Sequence, residues 1–153
     1  DPDGVWFKKN GRSKDYHVRL FEALKERFPE LWEQERLQAI PVGDIFLALE
    51  EKMKAGQVPG IDTVDDYYTD IQHIRAGLPR YTVAASFYAV VFEEHPGALD
   101  WRVYNDAEKY GPDRSHDKGE LLEITPERAK VINDTIWEVV TDHPATALEA
   151  RAQ

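Results

Sequence analysis

Asp70-Ile-Gln-His73 places a carboxylate three residues ahead of an imidazole. An acid at that spacing can accept a hydrogen bond from one ring nitrogen, fix the tautomer and leave the other nitrogen as a general base. Asp70 and His73 could therefore serve as two parts of a serine-hydrolase triad. The third part is not apparent, because the chain's serines are Ser13, Ser86 and Ser115. Ser13 suits a helix cap. Ser86 falls inside an apolar helix, where its hydroxyl is expected to bond back to its own backbone. Ser115 belongs to a polar loop. None follows a strand in the sharp turn that exposes a nucleophile, and neither Gly-Asp-Ser nor Gly-x-Ser-x-Gly occurs.

Other polar groups fit structural roles better. Ser115-His116-Asp117 spells a triad in consecutive residues, yet adjacent side chains diverge and a triad needs the imidazole between hydroxyl and carboxylate. Asp113, His116, Asp117 and Glu120 offer a hard cation some oxygen ligands, but their spacing follows no calcium loop. No metal and no cofactor is expected. His17, His95 and His143 stand beside loops or helix ends, the last two just before prolines, where a cation suits the helix dipole. Trp6, Trp32, Trp101 and Trp137 are scattered as core and boundary residues are, with Trp6 and Trp101 open to a place in a carbohydrate cleft.

Bulk properties narrow the classes further. A chain of 153 residues, 42% hydrophobic and 11% aromatic, is one domain's length and too apolar for disorder. A net charge of −10 leaves no basic stripe to neutralise phosphates, which argues against nucleic-acid binding. The absence of cysteine excludes disulfides, thiolate catalysis and cysteine zinc sites. The longest apolar run, Val83 to Phe92, is about half of a membrane span. No signal peptide is visible, but the chain opens on Asp1 rather than methionine and is expected to have lost residues ahead of it.

The elements that must position the pair are mostly helical. Residues 1–12 read as a leading loop, followed by a helix with Leu20, Phe21, Leu24 and Phe28 on one face, interrupted by Pro29. Leu31 to Arg36 reads as a second short helix. Leu37-Gln-Ala-Ile-Pro-Val42 reads as one buried strand, weakened by Pro41, and Ile45 to Lys54 as an amphipathic helix. Thr63-Val-Asp-Asp66 starts a helix, and the short piece Tyr67 to Ile74 carries the acid and the imidazole. Arg80 to Glu93 is apolar nearly all round and so is expected to be buried. A polar surface loop over 105–119 follows. Thr125-Pro126-Glu127 caps a final helix with Ala129, Ile132, Ile136, Val139 and Val140 inward, and residues 145–153 form a fraying tail.

Ile40-Pro-Val-Gly-Asp44, Tyr68-Thr-Asp-Ile-Gln-His73, Gly77 to Tyr81 and the helix to Pro96 resemble the C-terminal half of SGNH/GDSL-type hydrolases, as does Ile132-Asn-Asp-Thr-Ile-Trp137. The likeness covers roughly residues 37–144 and is nearest to secreted, planctomycete-like bacterial members. It implies an α/β fold, this helix-rich segment being the C-terminal part of a three-layer α/β/α sandwich, so that 1–153 is a single domain or the C-terminal portion of one. It implies an acyl or carbohydrate esterase with Asp70 as triad acid and His73 as base. An upstream segment of the same protein would supply the serine and the oxyanion hole. A small-molecule or carbohydrate ester is the implied partner, with no nucleic acid and no membrane, in a secreted or periplasmic setting. The alternative is a non-catalytic acidic binding or scaffold domain in which Asp70 and His73 are an ordinary hydrogen-bonded pair.

Overall fold

The computed structural model describes residues 19–34, 36–70, 73–106, 121–143 and 146. The chain forms two compact units, Asp1–Ala39 and Ile40–Gln153. The leading segment 1–12, most of the 105–119 loop and most of the 145–153 tail lie outside the described residues.

In the first unit, α1 (residues 19–27) stops at Phe28 and α2 (Pro29–Glu33) starts at once. Proline has no N–H to continue the first helix but suits the first turn of the next. Phe21 meets Trp32 edge to face at 5.7 Å, and the Lys25 ammonium lies 4.3 Å from the Trp32 ring centre. The expected inward face is not formed: none of this unit's described residues is buried, and Leu20 and Phe28 are exposed.

The second unit holds the core. It packs α3 (Val42–Lys54), α4 (Leu78–Phe92) and α5 (Pro126–Asp142) against one another. Ile45, Leu49 and Met53 of α3, Leu78, Tyr81, Ala85 and Ala89 of α4, and Ile132, Ile136 and Val140 of α5 are fully enclosed. Each large aliphatic side chain withdrawn from water in this way contributes about 1.5–3 kcal/mol. The Tyr81 hydroxyl donates to Asn133 Oδ1 at 2.7 Å, satisfying a buried polar pair between α4 and α5. As expected, Thr125 caps α5, its hydroxyl accepting from the Arg128 N–H, with Pro126 in the first turn.

Two further expectations fail. Residues 37–41 form no strand; Pro41 sits at the N-cap of α3 and the helix begins at Val42. A strand needs a neighbouring ladder, and the described residues contain only two isolated bridges, Tyr68 with Ile74 and Gly77 with Leu122. Nor is α4 buried all round: Phe87, Val91 and Phe92 are 49%, 58% and 64% exposed. They share an open apolar groove with Leu99 and Val103. The unit is thus helix-rich with almost no strand.

Two joints fix the segment before α4. Leu122 N–H donates to Ala76 O at 3.0 Å, and Leu78 N–H donates to Leu122 O at 2.8 Å. Between them Gly77 has φ +81°, and a Cβ there would lie 2.2 Å from Leu122 O. Asn105 pairs through its amide with both main-chain groups of Ile124, at 2.8 Å each.

Glu50 of α3 forms a second anchor. Its side chain is 8% exposed. It accepts from Val64 N–H at 2.5 Å, Thr63 Oγ1 at 3.3 Å and Lys54 Nζ at 3.1 Å. Burial alone would raise its pKa; the Val64 N–H, Lys54 and Thr63 outweigh that and hold the carboxyl below its ordinary value.

Gly77→Ala should lower stability by about 2 kcal/mol or more, since both the dihedral and the space oppose a side chain; an unchanged urea midpoint would contradict this joint. Because the folded-state pKa of Glu50 is depressed, its contribution is full above the unfolded value of about 4.3 and is lost as pH falls through the folded value. Stability measured down that acid limb should fall more steeply for the native chain than for Glu50→Gln.

Candidate acid–base site

The site begins with Thr63, whose hydroxyl accepts from Asp65 N–H at 3.3 Å and opens a single 3₁₀ turn, Val64–Tyr67. Tyr67 is fully buried and fixed edge to face on Phe46 of α3, centroids 5.4 Å apart, and Tyr68 meets the same ring at 6.5 Å. Burial pushes the Tyr67 phenol far above its usual range, so it stays neutral and acts as a core residue.

From this base the chain makes a closed turn. Tyr68 bridges Ile74, Thr69 N–H donates to His73 O at 2.9 Å, and Arg75 N–H donates to Tyr67 O at 2.7 Å. The Thr69 hydroxyl also donates to His73 O at 3.2 Å, and Arg75 Nη1 reaches Asp66 O at 3.3 Å. The helix expected to start at Thr63 is thus only the 3₁₀ turn Val64–Tyr67, and Asp70 and His73 lie in the piece closed by the Tyr68–Ile74 bridge. The acidic, β-favouring run around Tyr67 and Tyr68 closes across the chain instead of winding on.

The turn brings the pair together. Asp70 Oδ1 accepts from His73 N–H at 2.9 Å, and His73 Nδ1 lies 2.9 Å from Oδ1 and 2.8 Å from Oδ2. An ionised carboxylate only accepts, so Nδ1 carries the hydrogen and Nε2 is the basic nitrogen of the neutral ring. The side chains of His73 and Asp70 are 45% and 49% exposed, so the ring is not sunk in hydrocarbon. Chemically this is an oriented base able to take a proton at Nε2, with a carboxylate placed to stabilise the resulting imidazolium.

The other two described imidazoles, His95 and His143, are arranged differently. His95 Nδ1 accepts from Gly97 N–H at 3.0 Å, capping the turn Pro96–Ala98, while Nε2 faces Asp134 Oδ1 at 3.4 Å. The lone pair of Nδ1 is thus spent on backbone, and the ring rests edgewise on Trp137 at 5.8 Å. Asp134 is held below the usual carboxylate range chiefly by Lys130, 2.5 Å away. His143 Nε2 lies 3.4 Å from Asp44 Oδ2, tying the end of α5 to the start of α3. Both fit the structural roles expected of them.

Ser86 is fully buried in α4 and donates to Thr82 O at 2.7 Å, as expected of a helix-interior hydroxyl. Ser13, Ser115, His17, His116 and Trp6 lie outside the described residues, as do Asp113, Asp117 and Glu120. Among the described residues no serine hydroxyl bonds to His73. Trp101 packs against the core with the Arg102 guanidinium 4.6 Å from its ring centre. No helix among the described residues is long and apolar enough to cross a membrane. Sequence reasoning passed over Glu50, although it lies four residues after Phe46 and one after Leu49, on the apolar stripe of α3.

A proton held between Nδ1 and a carboxylate should resonate far downfield in the NMR spectrum of the chain, and the ring nitrogens should report the Nδ1–H tautomer. Asp70→Asn should remove that resonance or move it sharply upfield. An unaltered signal would show that Asp70 does not hold the ring.

No protein-family profile, no curated protein and no solved structure matches this chain.

Proposed function

We propose that this chain contributes the acid and base of an SGNH/GDSL-type ester hydrolase, acting on acyl or carbohydrate esters. The observation that carries the reading is the double contact of Asp70 with His73 Nδ1, made on a turn fastened at both ends. In this reading His73 Nε2 takes the proton of a serine supplied by a segment outside these 153 residues. The serine oxygen attacks the ester carbonyl, and the imidazolium, stabilised by Asp70, returns the proton to the departing alkoxide. Water then repeats the cycle on the acyl-enzyme, with His73 again as base. The oxyanion hole also belongs to that other segment.

The apolar outer face of α4 supports the accompanying proposal of a three-layer α/β/α sandwich. Phe87, Val91 and Phe92 are what a helix presents to a sheet, and a helix apolar on two faces packs between neighbours.

The test is ester turnover by the protein in which this segment is joined to its nucleophile-bearing segment. His73→Ala should lower kcat/KM for a nitrophenyl ester by about 10³-fold or more, and Asp70→Asn by about 10²–10⁴-fold. Full activity in His73→Ala would overturn the reading. The 153 residues alone should hydrolyse the ester no faster than background; rapid turnover by them that depends on His73 would place the nucleophile within this chain.

A further inference from the structure

We infer that Glu50 is a positioning residue for His73: a buried carboxylate on α3 that clamps the base of the Asp70–His73 turn. The positional claim stands on geometry, and its catalytic consequence rests on the hydrolase reading above. Glu50 Oε2 accepts from both Val64 N–H (2.5 Å) and Thr63 Oγ1 (3.3 Å), and Thr63 Oγ1 accepts in turn from Asp65 N–H (3.3 Å). One carboxylate thereby gathers the main chain at the opening of the 3₁₀ turn Val64–Tyr67.

That turn leads directly into the site. Tyr67, its last residue, gives its carbonyl to Arg75 N–H at 2.7 Å, and Tyr68 forms the bridge to Ile74. Asp70 and His73 lie between those two closures. The far side of the turn is held separately, by Ala76 and Leu78 on Leu122. The near side is held by Glu50 and by the Phe46–Tyr67 contact, both from α3. A surface lysine pair does not account for burying this acid: Lys54 is half-exposed and forms an ordinary pair one helical turn away. A buried carboxylate is costly unless donors satisfy it, and here two of its three donors, the Val64 N–H and the Thr63 hydroxyl, belong to the segment leading to the site, with Lys54 as the third.

The experiment reads the downfield Nδ1–H resonance of His73 in Glu50→Ala, Glu50→Gln and Thr63→Ala, with helix content followed by circular dichroism. Glu50→Ala should lose or broaden the resonance while α3, α4 and α5 stay folded. Glu50→Gln, which keeps an acceptor for Val64 N–H, should restore it. Should Glu50→Ala fail to fold, Thr63→Ala decides, since it removes one strand of the clamp and should shift the resonance in the same sense. A sharp, unshifted resonance in a folded Glu50→Ala, or in Thr63→Ala, overturns the role. In the nucleophile-bearing protein Glu50→Ala should lower kcat by up to about 10²-fold with KM little changed. The resonance is read on this chain itself, so it judges Glu50 independently of the hydrolase reading, which the His73→Ala assay judges.

Discussion

Asp70 must satisfy two donors of the same residue, the backbone N–H and the ring Nδ1 of His73, and the geometry of the site follows from that constraint. The backbone bond fixes where the carboxylate lies before the ring is considered. The ring then has one orientation that keeps Nδ1 against both oxygens. A carboxylate oriented this way sets the tautomer without burial, which is why a half-exposed imidazole can still have a defined basic nitrogen. Its rigidity comes from the closures around it: Thr69 on His73, Arg75 on Tyr67, and the bridge of Tyr68 with Ile74.

Those closures are in turn mounted on the helical core. The segment leading to the turn is held by α3 through Glu50 and Phe46. The departing segment enters α4 through Gly77, where main chain passes too close to Leu122 for any side chain. The third helix, α5, locks α4 by the Tyr81–Asn133 hydrogen bond and the Ile132, Ile136 and Val140 face. The core therefore acts on the site through two short connections. The outer face of α4 remains apolar and open, a surface whose chemistry suits a further layer of structure.

The helices were legible in the sequence because their signals are local. Pro29 ends one, Thr125-Pro126 starts another, and the 3–4 spacing of Leu49 and Met53 or Ile132 and Ile136 reads directly as a buried stripe. The pairing of Asp70 with His73 was also legible, though not its setting on a bridged turn, because a single cross-chain bridge leaves no periodic trace. Residues 37–42 read as a strand from their apolar content, yet a strand is a property of its neighbours as much as of its own residues. Glu50 was hidden for a related reason: its donors, Val64 N–H and the Thr63 hydroxyl, come from a separate element and are common to many sequences. On α4, composition correctly predicted an apolar helix, but only packing reveals which face is covered.

The most direct measurement of the central claim is the structure of the nucleophile-bearing protein after reaction with a fluorophosphonate. The account predicts a phosphonylated serine with His73 Nε2 within about 3 Å of its oxygen and Asp70 still on Nδ1. A different imidazole beside the adduct, or His73 turned away from it, would contradict the assignment.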